Sequence, residues 1–187
     1  MSRDHAVPTA ESRFAHSLST LQELASDVLR HAKTLGASDC EVDVSEGFGQ
    51  GVTVRCDEVE TIEYNRDKGI GVTVYLGQKK GHAASSDLSD DALRDTVAAA
   101  LAIAGHTASD PDAGLADPAL QATSFPDLDL CHPWALSVDD AIELARETEA
   151  AARAVDARIN NSEGGSVSSH LSQFVYANSI EAFARAL

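Results

Sequence analysis

The sequence is short of positive charge: Lys and Arg number 14 against 30 Asp and Glu, a formal net charge of -16. A field of that sign repels phosphate backbones and anionic lipid, so neither nucleic acid nor a membrane surface is an expected partner. Cysteine is also scarce. Cys40, Cys56 and Cys131 are odd in number and lack C-x-x-C spacing, which suits neither a disulfide framework nor a four-thiolate zinc site, and they read as reduced thiols. No apolar stretch approaches the roughly 20 residues of a membrane span, and the N-terminus has no signal-peptide core, so the cytoplasm is the expected compartment. A gluzincin-type centre needs His-Glu with a second His one helical turn on. Here no histidine precedes a glutamate: His5, His16, His31, His82, His106, His132 and His170 are followed by Ala, Ser, Ala, Ala, Thr, Pro and Leu. The chain therefore has no zinc motif of its own, and no metal or cofactor is expected on it.

What is present is a composition of 43% hydrophobic and 24% charged residues over 187 positions, enough for one main domain with a core. Residues 1–16 show no period and are expected to be a flexible tail. Leu21, Ala25, Val28, Ala32 and Leu35 then repeat at helical spacing, with Ser19 or Thr20 as N-cap and Gly36 at the end. The period changes to two at Cys40, Val42 and Val44. A turn is expected at Gly47-Phe48-Gly49-Gln50-Gly51, and a second strand through Val52, Val54 and Cys56. Another turn is expected at residues 65–69, before the alternating Ile70, Val72, Val74 and Leu76 and a short strand over 82–86. Such short connections predict an antiparallel meander.

Ser89 with Asp90 and Asp91 marks the start of a second helix ending at Gly105. Residues 106–136, punctuated by four prolines, read as a long connecting loop. Ser137 with Asp140 caps a third helix to about residue 155. A last strand pair is expected over 159–162 and on through Phe174, Val175 and Tyr176 at a sheet edge. The fold class is thus α+β, a mainly antiparallel sheet packed against about three helices.

Four features invite chemistry. Cys131-His132 is the one adjacent pair of soft ligands, but neighbours in a Pro-flanked loop rarely converge on a metal, and Trp134 beside them reads as an anchor onto the core. Glu163-Gly164-Gly165-Ser166 lacks the lysine and following helix of a phosphate cradle and reads as a turn. Ser85, Ser86, Ser166, Ser168 and Ser169 include no Gly-x-Ser-x-Gly elbow. His170, set among serines on a strand, is the single candidate for substrate contact. No catalytic residue is assigned.

Three runs in order resemble the N-terminal half of the TldE (PmbA-like) branch of the TldD/TldE metalloprotease family, over residues 21–179. They are Glu58-Val59-Glu60 through Gly69-Ile70-Gly71-Val72 to Lys80-Gly81-His82-Ala83; Pro126-Asp127-Leu128-Asp129-Leu130-Cys131-His132-Pro133; and Arg158-Ile159-Asn160-Asn161-Ser162-Glu163-Gly164-Gly165, leading to Ser169-His170 and Asn178-Ser179. The resemblance implies a heterodimer in which a TldD-like subunit carries the zinc and a TldE-like subunit, itself non-catalytic, helps enclose a chamber that processes unfolded peptides. Residues 17–179 would be the TldE-like N-terminal domain. Residues 180–187 depart from the family pattern, and a truncation or frame change is the expectation there. The alternative is a stand-alone peptide-binding module that adds a strand at an exposed sheet edge.

Overall fold

The computed structural model describes residues 13–122, 124–180 and 183–186, the last four by backbone alone. Most of the tail expected over 1–16 lies outside the described residues, but from Arg13 the chain is engaged in contacts given below. The element order is α1 (Leu18–Thr34), β1 (Asp39–Arg55), β2 (Glu58–Leu76), β3 (Lys79–Ser85), α2 (Asp90–His106), a 3-10 turn (Pro118–Leu120), α3 (Val138–Arg153), β4 (Gly165–Asn178) and β5 (Phe183–Ala186). The strands form one antiparallel sheet in the order β3-β2-β1-β4-β5. It is the α+β architecture that the alternating and helical periods predict: β1 to β3 are a meander, and β4 returns after α3 to lie beside β1.

The chain divides into two compact units, and β1, β2 and β4 each run from one into the other. The larger unit holds 15–46, 67–130 and 172–186. In it the buried stripe of α1 (Leu21, Ala25, Val28, Ala32) packs with Cys40, Val42 and Val44 of β1, Ile70, Val72 and Val74 of β2, and Leu93, Val97, Ala100 and Ala104 of α2. Burial of such side chains stabilises by about 1.5–3 kcal/mol each. Gly81 of β3 makes the seat for α2, because an added Cβ would overlap the Ala100 carbonyl and meet Ala104 Cα at 3.0 Å. α1 is capped by Ser17, whose Oγ accepts from Thr20 N at 3.1 Å. The cap thus falls two residues before Ser19, and Ser19 and Thr20 are already helical.

The smaller unit holds 47–66 and 131–171 with Arg13 and Phe14. Val52 and Val54 of β1 and Ala141 and Ala145 of α3 form its core, with Leu136, Val138, Ile142 and Val167 packed around them. Ser137 caps α3, accepting from Asp140 N at 3.1 Å. The seating of the helix repeats the arrangement at Gly81: a Cβ on Gly165 of β4 would overlap Ala145 O and meet Glu149 N at 3.0 Å.

Several expected turns are strands. The glycines of 47–51 do not break β1, and 65–69 lies inside β2. The chain reverses instead at Cys56 and Asp57, both left-handed with φ of 52° and 70°, the two-residue geometry whose twist suits a hairpin. Neither residue is glycine. Glu149 of α3 holds the turn, its carboxylate accepting from Cys56 N at 2.7 Å and Asp57 N at 2.9 Å. Residues 159–162 are not a strand, and Gly105 lies within α2 rather than ending it. Phe174, Val175 and Tyr176 are not at an edge, since β5 pairs with them from Phe174↔Ala186 to Ala177↔Phe183. Trp134 is 54% exposed and anchors nothing on the core.

Candidate functional site

Gly47, Gly49 and Gly51 recur at the period of a strand, so β1 shows bare backbone at three successive positions of one face. Val52 and Val54 point the other way, into the α3 core. β4 lies antiparallel beside β1, with Thr53 Oγ1 3.0 Å from Ser166 Oγ and Cys40 N donating to Ser179 Oγ at 3.1 Å. The same register brings His170 to Gly49. Its ring lies over the glycines: a Cβ on Gly47 would be 3.1 Å from His170 Cε1, and one on Gly49 would be 3.2 Å from Nδ1. From β2, Asn65 reaches over the same Gly49.

A cleft of about 590 Å3 is lined here by Gly49, Gln50, Gly51, Tyr64, Asn65, Ser168, Ser169 and His170, with Ile62 and Glu63. Above Gly51 the space is open, with nothing within 4 Å of a built Cβ. The imidazole of His170 and the amide of Asn65 have no hydrogen-bond partner among the described residues, and both are exposed. Gln50, 9% exposed, also leaves its Nε2 without a partner. Donors and acceptors therefore converge on a floor without side chains, an arrangement that can hydrogen-bond a ligand and bring it close to the backbone. Of the residues singled out from sequence, His170 is in this cleft. Cys131 and His132 are on the connecting segment, away from it. Asn65 and the glycine floor were missed because their segments read as turns, and Tyr64 was read only as a strand residue. The spacing Gly-x-Gly-x-Gly was the available signal, since period two marks a strand.

The larger unit carries two polar clusters of a different kind. Tyr75 and Tyr176 donate their hydroxyls to the two oxygens of Glu41, at 2.8 and 2.9 Å. Burial pushes both phenols above their ordinary pKa, and the hydrogen bond and charge of Glu41 push the same way. Glu46, 4% exposed, accepts from His16 N at 3.2 Å and Gln173 Nε2 at 3.1 Å, and its other oxygen is 2.5 Å from His16 Nδ1. Burial pushes the Glu46 carboxyl up, but the bonds from His16 and Gln173 outweigh it and hold the group below the usual carboxylate range. Both clusters are satisfied internally and brace the sheet; neither offers a vacant donor.

The described residues present no set of side chains that fits a zinc centre. Among the described residues no three His, Cys, Asp or Glu side chains converge as metal ligands would, and no histidine precedes a glutamate. No described helix is long and apolar enough to cross a membrane.

This architecture matches known proteins in sequence and in fold. The family descriptions "PmbA/TldA metallopeptidase domain 1" and "PmbA/TldA metallopeptidase central domain" match residues 40–104 and 131–185. The chain belongs to the PmbA/TldD metallopeptidase family. It is 49% identical over 160 residues to the metalloprotease PmbA of Escherichia coli O157:H7, covering 85% of this chain and 35% of that protein. In fold it is similar to a Bacteroides thetaiotaomicron protein assigned as a modulator of DNA gyrase, with a TM-score of 0.80 at 21% identity over 88% of this chain and 38% of that one. It is similar also to TldE of Thermococcus kodakarensis, with a TM-score of 0.68 at 15% identity over 87% of this chain and 36% of that one. The chain thus spans little more than a third of the length of these relatives.

Proposed function

We propose that this metallopeptidase-family domain is the N-terminal part of a TldE-type subunit, non-catalytic in itself, that holds unfolded peptide while a TldD-like partner supplies the zinc. The observation that carries the reading is the glycine-floored cleft with the unpartnered His170 and Asn65 above it. An extended peptide presents a donor and an acceptor at every residue and needs such a surface, polar and free of side-chain obstruction. The absence of a histidine-glutamate pair in the chain supports the non-catalytic role. Leu120, Phe125, Leu128, Leu130 and Trp134 are exposed along the connecting segment, apolar side chains suited to contact with another polypeptide. Three free thiols, at Cys40, Cys56 and Cys131, support a cytoplasmic setting.

Trp134 is the one tryptophan and 54% exposed, so it reports on such a contact. Titration with a TldD-like subunit should shift its emission to the blue, give co-elution on gel filtration, and add peptidase activity that the chain alone lacks. Hydrolysis of an unfolded peptide by the isolated chain, or no association with the subunit, would overturn the proposal.

A second reading has a specific observation behind it. β3 pairs with β2 only over Ile70–Leu76, and β5 pairs with β4 only over Phe174–Ala177. Residues 58–69 and 165–173 therefore have β1 as their single strand neighbour among the described residues, and each free edge can accept a strand. Capture of assorted unfolded peptides without any TldD-like protein would favour it.

A further inference from the structure

Phe48 carries two arginines. The guanidinium carbon of Arg13 lies 5.5 Å and that of Arg66 5.2 Å from its ring centroid, and the Tyr64 ring packs against the same ring at 6.5 Å. Arg30, Arg55, Arg146 and Arg158 each stand beside a carboxylate. Arg13 and Arg66, like Arg94 and Arg153, make no ion pair among the described residues, but only Arg13 and Arg66 share one aromatic ring. Two like charges gathered on one ring repel each other, against the cation–π attraction that holds each there. An anion between them would complete the arrangement.

We propose that Arg13 and Arg66, held on Phe48, form a binding site for a carboxylate. Arg66 Nη1 donates to Arg13 O at 3.5 Å; stacking on a ring leaves the remaining in-plane N–H edges accessible, and such edges match the two oxygens of a carboxylate. The aromatic rings of Phe48 and Tyr64 suit the organic part of such a ligand. The net charge of -16 favours a monoanion over the more highly charged phosphate. The carboxylate can come from the C-terminus of a peptide or from an Asp or Glu side chain. Phe48 alternates with Gly47 and Gly49 along β1, and Tyr64, which packs on Phe48, also lines the cleft at Gly49.

The test is a titration followed by the Arg Nε–Hε resonances of the whole chain, with four probes at low salt. These are N-acetyl-dialanine as the free acid, the same peptide as its amide, an amidated peptide containing one Glu, and inorganic phosphate. The free acid should give saturable shifts at Arg13 and Arg66, and the plain amide none. The Glu peptide decides the source: shifts comparable to those of the free acid assign the site to side-chain carboxylates as well as chain ends. Arg66→Gln and Arg13→Gln should each weaken binding about tenfold, the usual cost of one charge-assisted hydrogen bond, and Arg66→Lys should retain part of it. Equal shifts with acid and amide, tighter binding of phosphate than of the free acid, or affinity unchanged in both Gln variants would overturn the proposal.

Discussion

Asn65 fills the space that a side chain on Gly49 would need: a Cβ built there would overlap Asn65 Oδ1 and lie 3.2 Å from His170 Nδ1. A side chain at Gly51 meets nothing within 4 Å. The two glycines of one strand face therefore have different duties, one making room for the polar pair and the other leaving the cleft open. Gly49→Ala should displace Asn65 and weaken peptide binding about tenfold or more, a loss of one or two hydrogen bonds. Gly51→Ala should fold at least as stably as the parent, because alanine gives up less backbone freedom by about 0.5–1 kcal/mol. Thermal unfolding and peptide titration of the pair check both statements.

Gly81 and Gly165 seat α2 and α3 against backbone rather than against flexible side chains. Neither neighbour can yield locally, so Gly81→Ala and Gly165→Ala should each destabilise at the upper end of the 1–3 kcal/mol typical of overpacking, roughly. Urea denaturation should show a lower midpoint for both, while Gly51→Ala serves as the control.

Glu46 gives the chain a defined acid sensitivity. Its carboxyl is held below the usual range in the folded state, so the unfolded chain binds its proton first as the pH falls. The stabilisation is complete above the ordinary carboxylate pKa of about 4.3 and is lost as the pH drops through the lower folded value. In Glu46→Gln the difference in stability between pH 6 and pH 3 should shrink. Denaturation at a series of pH values measures it, and an unchanged slope would show that the His16 and Gln173 contacts do not favour the ionised form.

The Cys40 thiol is pushed up to about 12, by burial first and then by the charges of Glu41 and Asp39. At pH 8 it is protonated and 2% exposed, whereas Cys56 is exposed at the hairpin turn. Alkylation with iodoacetamide should mark Cys56 within minutes and reach Cys40 only in denaturant. Peptide mass mapping reads the order directly.

The helices were legible because each repeats its apolar stripe, and the starts of α2 and α3 were also marked by Ser89 and Ser137, whereas the cap of α1 is Ser17 and not Ser19 or Thr20. The alternation of Cys40, Val42, Val44 and of Ile70, Val72, Val74 likewise marked the buried face. The turn at Gly77 was legible, but those expected at 47–51 and 65–69 were not turns. Glycine signals a turn when backbone freedom is its use, but at 47–51 and at Gly71 its use is the absence of a side chain, as Asn65, His170 and Asp43 pack over those positions. The true reversal at Cys56 and Asp57 depends on Glu149, more than 90 residues later in the chain, a contact no local pattern can announce. His170 was visible as a histidine on a polar strand; its neighbours were hidden by the misplaced turns.

The central claim is that the cleft over Gly49 and Gly51 takes an extended peptide. A 15N-resolved titration of the chain with an unstructured peptide tests it most directly. The account predicts saturable shifts at the amides of Gly49, Gly51, Ser168 and His170 and at the Asn65 side-chain NH2, reduced about tenfold in affinity by Asn65→Ala or His170→Ala. Saturable shifts confined to the free edges at 58–63 and 165–167, unaltered by those two substitutions, would contradict it.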